Sequence, residues 1–117
     1  MSTVETGRAA EQQASDHLEK AGFKILGRNW RNRWCELDII AMRGPVLHII
    51  EVKYRKNTDY GYAAEYISYD KSRRLIRAAL AWTQAHRYNG PYQIDVLSVE
   101  GDLGNPAITH LENAVTA

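Results

Sequence analysis

The sequence runs Glu36-Leu37-Asp38-Ile39-Ile40, turns at Gly44-Pro45 and continues as Ile49-Ile50-Glu51-Val52-Lys53. Two apolar runs around a Gly-Pro break predict an antiparallel β-hairpin. Their nearly continuous hydrophobic character indicates strands that are buried on both faces. The acids and the lysine in these runs are therefore exceptions that need a chemical reason.

The hairpin brings charged side chains together. Successive side chains of a strand point to opposite faces, so Glu51 and Lys53 share one face. A loop centred on Gly44-Pro45 places Asp38 opposite Glu51, where side chains lie about 4.5–5.5 Å apart at Cβ. Two carboxylates at that distance repel each other, and a divalent cation removes the conflict. We therefore expect a metal site with Lys53 beside it as the positive group.

The composition excludes several classes of protein. The chain has 117 residues, of which 44% are hydrophobic and 25% charged, as expected of one globular domain spanning residues 1–117. No apolar run approaches the ~20 residues of a membrane span, and the N-terminus does not resemble a secretory signal, so we expect a cytoplasmic protein without a membrane partner. The single cysteine, Cys35, allows neither an internal disulfide nor a zinc finger.

The order of the remaining elements predicts the fold class. Apolar spacing, glycines and turn residues indicate a helix at Val4–Ala21, strands at Phe23–Leu26, Cys35–Met42 and Val46–Arg55, a helix at Tyr69–Tyr88, and strands at Tyr92–Val99 and Ala107–Leu111. The Arg28–Trp34 segment either connects or extends the first strand, and Asn57–Tyr69 is predicted to be a loop. This succession predicts an α/β fold in which a mixed central sheet is flanked by helices.

The first helix contributes one more acid. Glu11 lies four residues after Gly7 and three before Ala14, so it borders the buried stripe of the helix. A carboxylate at such a position needs a partner. The acids of the site are thus expected to come from the sheet and from the helix that packs on it.

These motifs, in this order, resemble the PD-(D/E)XK nuclease superfamily, and within it the YraN-like uncharacterised protein family 0102, relatives of archaeal Holliday-junction resolvases. The resemblance runs from about Gly7 to Ala114. It rests on Gly7-Arg8, Glu11, Ile25-Leu26, Arg28-Asn29, Glu36-Leu37-Asp38, Glu51-Val52-Lys53, Arg55, Lys71, Asp95 and His110-Leu111-Glu112-Asn113-Ala114. The chain departs from the usual family pattern by having Ala10 and Cys35 where glycine is usual and Gln93 where arginine is common.

The resemblance implies a restriction-endonuclease-like αβββαβ core and a metal-dependent nuclease that acts on structured or branched DNA. Asp38 and Glu51 would be the metal-binding acids, Lys53 the catalytic lysine, and Glu11 a further acid of the metal shell. Magnesium or manganese would be the cofactor. Lys71 would contact a phosphate.

Basic residues near the predicted site are candidates for binding nucleic acid. The net charge of +1 is too small to indicate such binding, but Arg55 lies at the end of the second acidic strand, and Lys71 and Arg74 fall within two turns of the second helix. The basic residues of the second helix fit a phosphate-binding track and a solvated helix face equally well.

Other functions fit the same residues. A catalytically inactive nucleic-acid-binding module would keep the fold, and a structural ion pair would explain Glu51 and Lys53 alone. A protein-interaction domain could use the tyrosines of the 57–69 segment. A homodimer would suit two-fold symmetric DNA substrates.

Overall fold

The computed structural model describes residues 2–56 and 67–116. The elements in chain order are α1 (Thr3–Lys20), β1 (Lys24–Arg31), β2 (Glu36–Arg43), β3 (Val46–Arg55), α2 (Tyr69–Ala85), β4 (Tyr92–Glu100) and β5 (Ala107–Val115). Ser68 caps the N-terminus of α2, because its hydroxyl accepts a hydrogen bond from the backbone N–H of Lys71 at 3.0 Å.

The predicted hairpin is confirmed. β2 and β3 pair antiparallel, Arg43 opposite Val46 and Ile39 opposite Ile50. Gly44 occupies the turn with a φ of +59°, a conformation that glycine adopts without strain. Continuing the register by one residue places Asp38 opposite Glu51, as expected from the sequence.

The five strands form one sheet in the order β1-β2-β3-β4-β5. β3 and β4 run parallel, with α2 in the connection between them, and the other neighbours are antiparallel. The expected mixed sheet flanked by helices, with an αβββαβ succession like that of a restriction-endonuclease-like core, is therefore confirmed.

Each face of the sheet has its own apolar core. On the side of α1, Leu18 packs with Ile39 and Ile50, all fully buried. On the side of α2, Leu75 packs with Ile49 and other buried residues of the sheet. The central strands are thus covered on both faces, which explains their continuous apolar runs.

Both edge strands are longer than their hydrophobic patterns predict. β1 continues beyond the predicted Phe23–Leu26 strand, because pairing with β2 extends to Arg31 opposite Glu36. The Arg28–Arg31 part therefore extends the strand, the second of the two alternatives. β5 likewise continues past Leu111 to Val115, which is buried and pairs with Ile94. Edge strands carry polar side chains on their exposed faces, so apolar spacing underestimates their length.

The second helix ends earlier than predicted. It stops at Ala85, and His86 caps it. Within it Trp82 is buried, whereas Leu80 is 48% exposed. Among the residues described, neither helix combines the length and the apolar character that a bilayer crossing requires.

Gly7 and Gly22 provide a matched test of how backbone conformation affects stability. Gly22, after the end of α1, has a φ of +91°, and Gly7 lies within α1; a Cβ at either position would meet no atom within 4 Å. Gly22→Ala should lower the free energy of unfolding by about 1–2 kcal/mol because of left-handed strain. Gly7→Ala should raise it by about 0.5–1 kcal/mol through helix propensity. Urea denaturation measures the free energy of unfolding of both variants. Changes of the same sign in the two variants would contradict a left-handed Gly22 beside a helical Gly7.

Candidate active site

Three carboxylates converge at the end of the sheet that lies away from the Gly44-Pro45 turn. Glu11 comes from α1, and Glu36 and Asp38 come from the start of β2. One carboxylate oxygen of each lies within 4.8 Å of those of the others. Oxygen ligands at such spacing suit a hard divalent cation such as magnesium.

Glu51 adjoins this group from β3. Its side chain is 7% exposed, and its Oε1 lies 3.7 Å from Lys53 Nζ and 3.6 Å from Lys71 Nζ. Its Oε2 is buried and has no hydrogen-bond partner among the residues that the structure describes. A buried carboxylate oxygen without a donor is costly. A bound cation would satisfy it, so the residues present fit a metal ion at this point.

Asp38 is the most strongly perturbed acid of the site. Its Oδ2 accepts a hydrogen bond from the backbone N–H of Val52 at 2.8 Å. Burial, followed by the negative charge of Glu51, raises the pKa of Asp38 to about 8, although the Val52 hydrogen bond opposes the shift. At neutral pH this carboxyl therefore holds a proton that a cation would displace.

Glu11 is perturbed in the same direction. Burial raises the pKa of its carboxyl, a hydrogen bond with the side chain of Asn29 opposes this, and the charge of Glu36 adds to the increase. Asn29 itself has a φ of 55°, in the left-handed region. The site thus disfavours the charged forms of both Asp38 and Glu11.

Two of the acids lie on an open groove of about 410 Å³. Glu11 and Glu36 line it together with Arg8 and Arg31. Arg31 Nη2 lies 2.6 Å from Glu36 Oε2, and the Arg31 side chain is 75% exposed. The groove therefore presents acids and arginines side by side, an arrangement that can accept a phosphate group near a metal.

The predicted nucleic-acid-binding residues lie in different surroundings. Lys71 is at the site itself, in contact with Glu51. Arg74 is exposed on α2, where its carbonyl faces Cys35 Sγ at 3.6 Å. Arg55 ends β3, where its carbonyl accepts a hydrogen bond from Gly101 N–H. Most of the predicted tyrosine-rich loop, residues 57–66, lies outside the described residues.

Glu36 and Arg31 were not among the residues that the sequence predicted to form the site. Glu36 is two residues from Asp38, so strand periodicity alone could have placed both on one face. Arg31 could not be placed near the site from the sequence, because it lies opposite Glu36 only if β1 continues past Arg28. The ligand set of Glu11, Asp38 and Glu51 stays a prediction, to which the structure adds Glu36.

Comparison with known proteins gives the family. Residues 10–99 match the model of the uncharacterised protein family UPF0102. The chain belongs to this family. It is 41% identical to the UPF0102 protein of Paenarthrobacter aurescens over 107 residues, covering 90% of this chain and 88% of the relative. It is 38% identical to that of Bacteroides thetaiotaomicron over 110 residues, covering 94% and 91%.

A third UPF0102 protein, from Colwellia psychrerythraea, is 34% identical over 116 residues, which cover 97% of this chain and 90% of the relative. Neither the family description nor these relatives' names give an activity. The chemistry of the site in this UPF0102 member must therefore be argued from its geometry.

The raised pKa of Asp38 predicts how stability depends on pH. The folded state keeps a proton that the unfolded state releases above about pH 4, so stability falls as pH rises and levels off above about pH 8. Asp38→Asn keeps an acceptor for Val52 N–H but removes the charge. Each unit of pKa shift corresponds to about 1.4 kcal/mol, and relaxation of the surrounding structure reduces this value. We therefore expect Asp38→Asn to raise the free energy of unfolding by about 2–4 kcal/mol at pH 9 and by less at pH 5.

Urea denaturation in EDTA at pH 5, 7 and 9 measures this gain. Asp16→Asn, at an exposed position of α1, is the control and should show no pH-dependent gain. A gain for Asp38→Asn that is equal at pH 5 and pH 9 would contradict the assignment.

Proposed function

We propose that this UPF0102 protein is a metal-dependent nuclease of the PD-(D/E)XK type that binds and hydrolyses structured or branched DNA in the cytoplasm. One observation carries the proposal. The buried Glu51 carboxylate has two lysines near Oε1 and, within residues 2–56 and 67–116, no donor for Oε2, and it lies beside the protonated Asp38. A structural ion pair would need no second acid and would leave no oxygen without a partner.

The metal ligands follow from the carboxylates. Asp38 and Glu51, with Glu11 and Glu36 beside them, would hold magnesium or manganese, which prefer oxygen donors. When bound, the cation supplies an activated water at neutral pH and neutralises charge on the phosphate.

Lys53 is the proposed catalytic lysine. Its ammonium group lies 3.7 Å from Glu51 Oε1, and its side chain is 32% exposed, so it reaches both the carboxylate and the solvent side of the site. There it would orient the attacking water or stabilise the negative charge that develops on the phosphate. Lys71, 27% exposed on the other side of Glu51, can contact a neighbouring phosphate.

The DNA backbone would follow the groove beside α1. Arg8 and Arg31 line the groove and can bind phosphates on either side of the scissile bond. Arg55 and Arg74 would extend the contact beyond Lys71. A homodimer would bring two such sites to a two-fold symmetric junction.

Cleavage assays test the catalytic assignment. Wild-type protein should cut labelled four-way-junction or flapped DNA with manganese or magnesium and not with EDTA. Lys53→Met should lower the rate by about 10²–10³-fold, since it removes one electrostatic contact to the transition state. Lys24→Met is a matched control, because Lys24 begins β1 at the opposite end of the sheet, opposite Met42.

Equal rates for Lys53→Met and Lys24→Met would overturn the catalytic role. Metal-independent DNA binding without any cutting by the wild type would instead indicate an inactive nucleic-acid-binding module. Binding to DNA should weaken steeply with salt, as phosphate contacts require. A protein-interaction domain would show no such affinity.

Metal binding can be measured without DNA. Manganese at 100 times its Kd should raise the free energy of unfolding by about 2.7 kcal/mol. Asp38→Asn should remove most of this increase, whereas Asp16→Asn should keep it. An unchanged increase in Asp38→Asn would show that the cation binds elsewhere.

A further inference from the structure

A second cluster of metal-ligating side chains lies on the α1 face of the sheet. It consists of His48 on β3, Asp95 on β4 and His110 on β5, and one donor atom of each lies within 4.8 Å of the others. The side chains of His48 and Asp95 are 3% and 0% exposed, and that of His110 is 12% exposed. The cluster is therefore almost enclosed, with His110 at its solvent side.

Strand pairing brings these residues together from distant parts of the chain. In the parallel β3–β4 ladder His48 lies opposite Gln93, and in the antiparallel β4–β5 ladder Leu97 lies opposite His110. Asp95 is two residues from both Gln93 and Leu97, so it shares their face. An irregularity between Ile94 and Val96 in the β4–β5 ladder lies at Asp95. Such irregularities commonly redirect a side chain.

The two oxygens of Asp95 have separate roles. Oδ1 accepts hydrogen bonds from the backbone N–H of Asn113 and from Gln93 Nε2, both at 2.9 Å. Oδ2 lies 2.6 Å from His48 Nδ1 and 2.7 Å from His110 Nε2. The donors on Oδ1 thus fix the carboxylate so that its other oxygen faces both imidazoles, as outer partners do for metal-binding carboxylates.

Burial would raise the pKa of Asp95, but hydrogen bonds from His110, Asn113, His48 and Gln93 outweigh it and lower the pKa to about 2. The carboxylate is therefore ionised at neutral pH and available as a ligand without loss of a proton.

We propose that His48, Asp95 and His110 bind a divalent transition-metal ion, for which Zn²⁺ is the natural probe. Two imidazole nitrogens with one carboxylate oxygen suit zinc, iron or nickel and do not suit magnesium, which prefers oxygen donors. This site differs in ligand chemistry from the acids around Asp38. It would tie β3, β4 and β5 together.

The geometry requires only a small adjustment. Tetrahedral zinc with ligands at about 2.0–2.1 Å needs its donor atoms about 3.3 Å apart, so the two rings must move away from Asp95 Oδ2 by somewhat more than half an ångström. Glu112 Oε1, 3.9 Å from His48 Nδ1, can serve as a fourth ligand by leaving Arg43 Nη2, to which it now lies at 3.0 Å.

Binding also requires a change in protonation. The ring nitrogens that face Asp95 must be unprotonated to ligate the ion. A neutral ring moves its proton to its other nitrogen, and a protonated ring releases one to solvent. Zinc affinity should therefore weaken as pH falls.

Calorimetric titration of metal-free protein with Zn²⁺ tests the proposal. Wild type should bind one equivalent, and a Co²⁺-loaded sample should show the visible absorption of a tetrahedral nitrogen and oxygen site. His110→Gln should weaken zinc binding at least about 100-fold, since loss of a ligand costs at least as much as loss of its outer partner. Asp38→Asn should bind zinc at this site as tightly as wild type, and magnesium should not compete.

The remaining histidines provide matched controls. The chain has four in all, and His17→Gln and His86→Gln should retain wild-type zinc affinity. His48→Phe keeps an aromatic ring against Phe23, whose centroid lies 4.8 Å from that of His48, so it should fold and lose the site. In wild type, the imidazole ¹⁵N resonances of His48 and His110 should shift on adding zinc.

Zinc binding that survives both His110→Gln and His48→Phe, or wild-type imidazole resonances that do not move, would overturn the proposal and leave a hydrogen-bonded cluster. Zinc binding lost only in Asp38→Asn would assign the ion to the acidic site instead. Neither result depends on nuclease activity, so the two proposals can fail separately.

Discussion

The burial of Asp38 beside Glu51 is the constraint on which the rest of the site depends. The hairpin register is fixed by Ile39 and Ile50, which are fully buried and opposite each other. A slip of one residue would exchange the side chains that pack against α1 with those that pack against α2, so the acids cannot separate without disrupting both cores. The apolar core on both faces of the sheet therefore holds the two acids together. Burial, and then repulsion by Glu51, raise the pKa of Asp38.

The lysines around Glu51 relieve only part of this repulsion. Lys53 and Lys71 both face Oε1, at distances longer than a direct hydrogen bond, and both remain partly in solvent. Lys71 lies in the first turn of α2, where the helix dipole also favours an anion. In the described part of the chain these groups leave Oε2 without a donor. A carboxylate that is only partly stabilised by its neighbours is well suited to bind a cation.

Local sequence patterns predicted the parts of the fold that local chemistry determines. The Gly44-Pro45 turn and the hairpin register both follow from short stretches of chain. The lengths of β1 and β5 did not follow, because pairing and not hydrophobicity extends an edge strand. The cluster around Asp95 could not be predicted either. It depends on the parallel register of β3 and β4, which no local pattern specifies.

Asp38 and Asp95 show how the same side chain acquires opposite properties on one sheet. Asp95 is buried among four hydrogen-bond donors, so its anion is stable and its pKa falls. Asp38 has one backbone donor and acidic neighbours, so its anion is unstable and its pKa rises. A cation at Asp38 must displace the carboxyl proton, whereas a cation at Asp95 competes only with protons on imidazole nitrogens. The carboxylates around Asp38 therefore favour a hard cation such as magnesium. The two imidazoles and the carboxylate of the Asp95 cluster favour a transition-metal ion such as zinc.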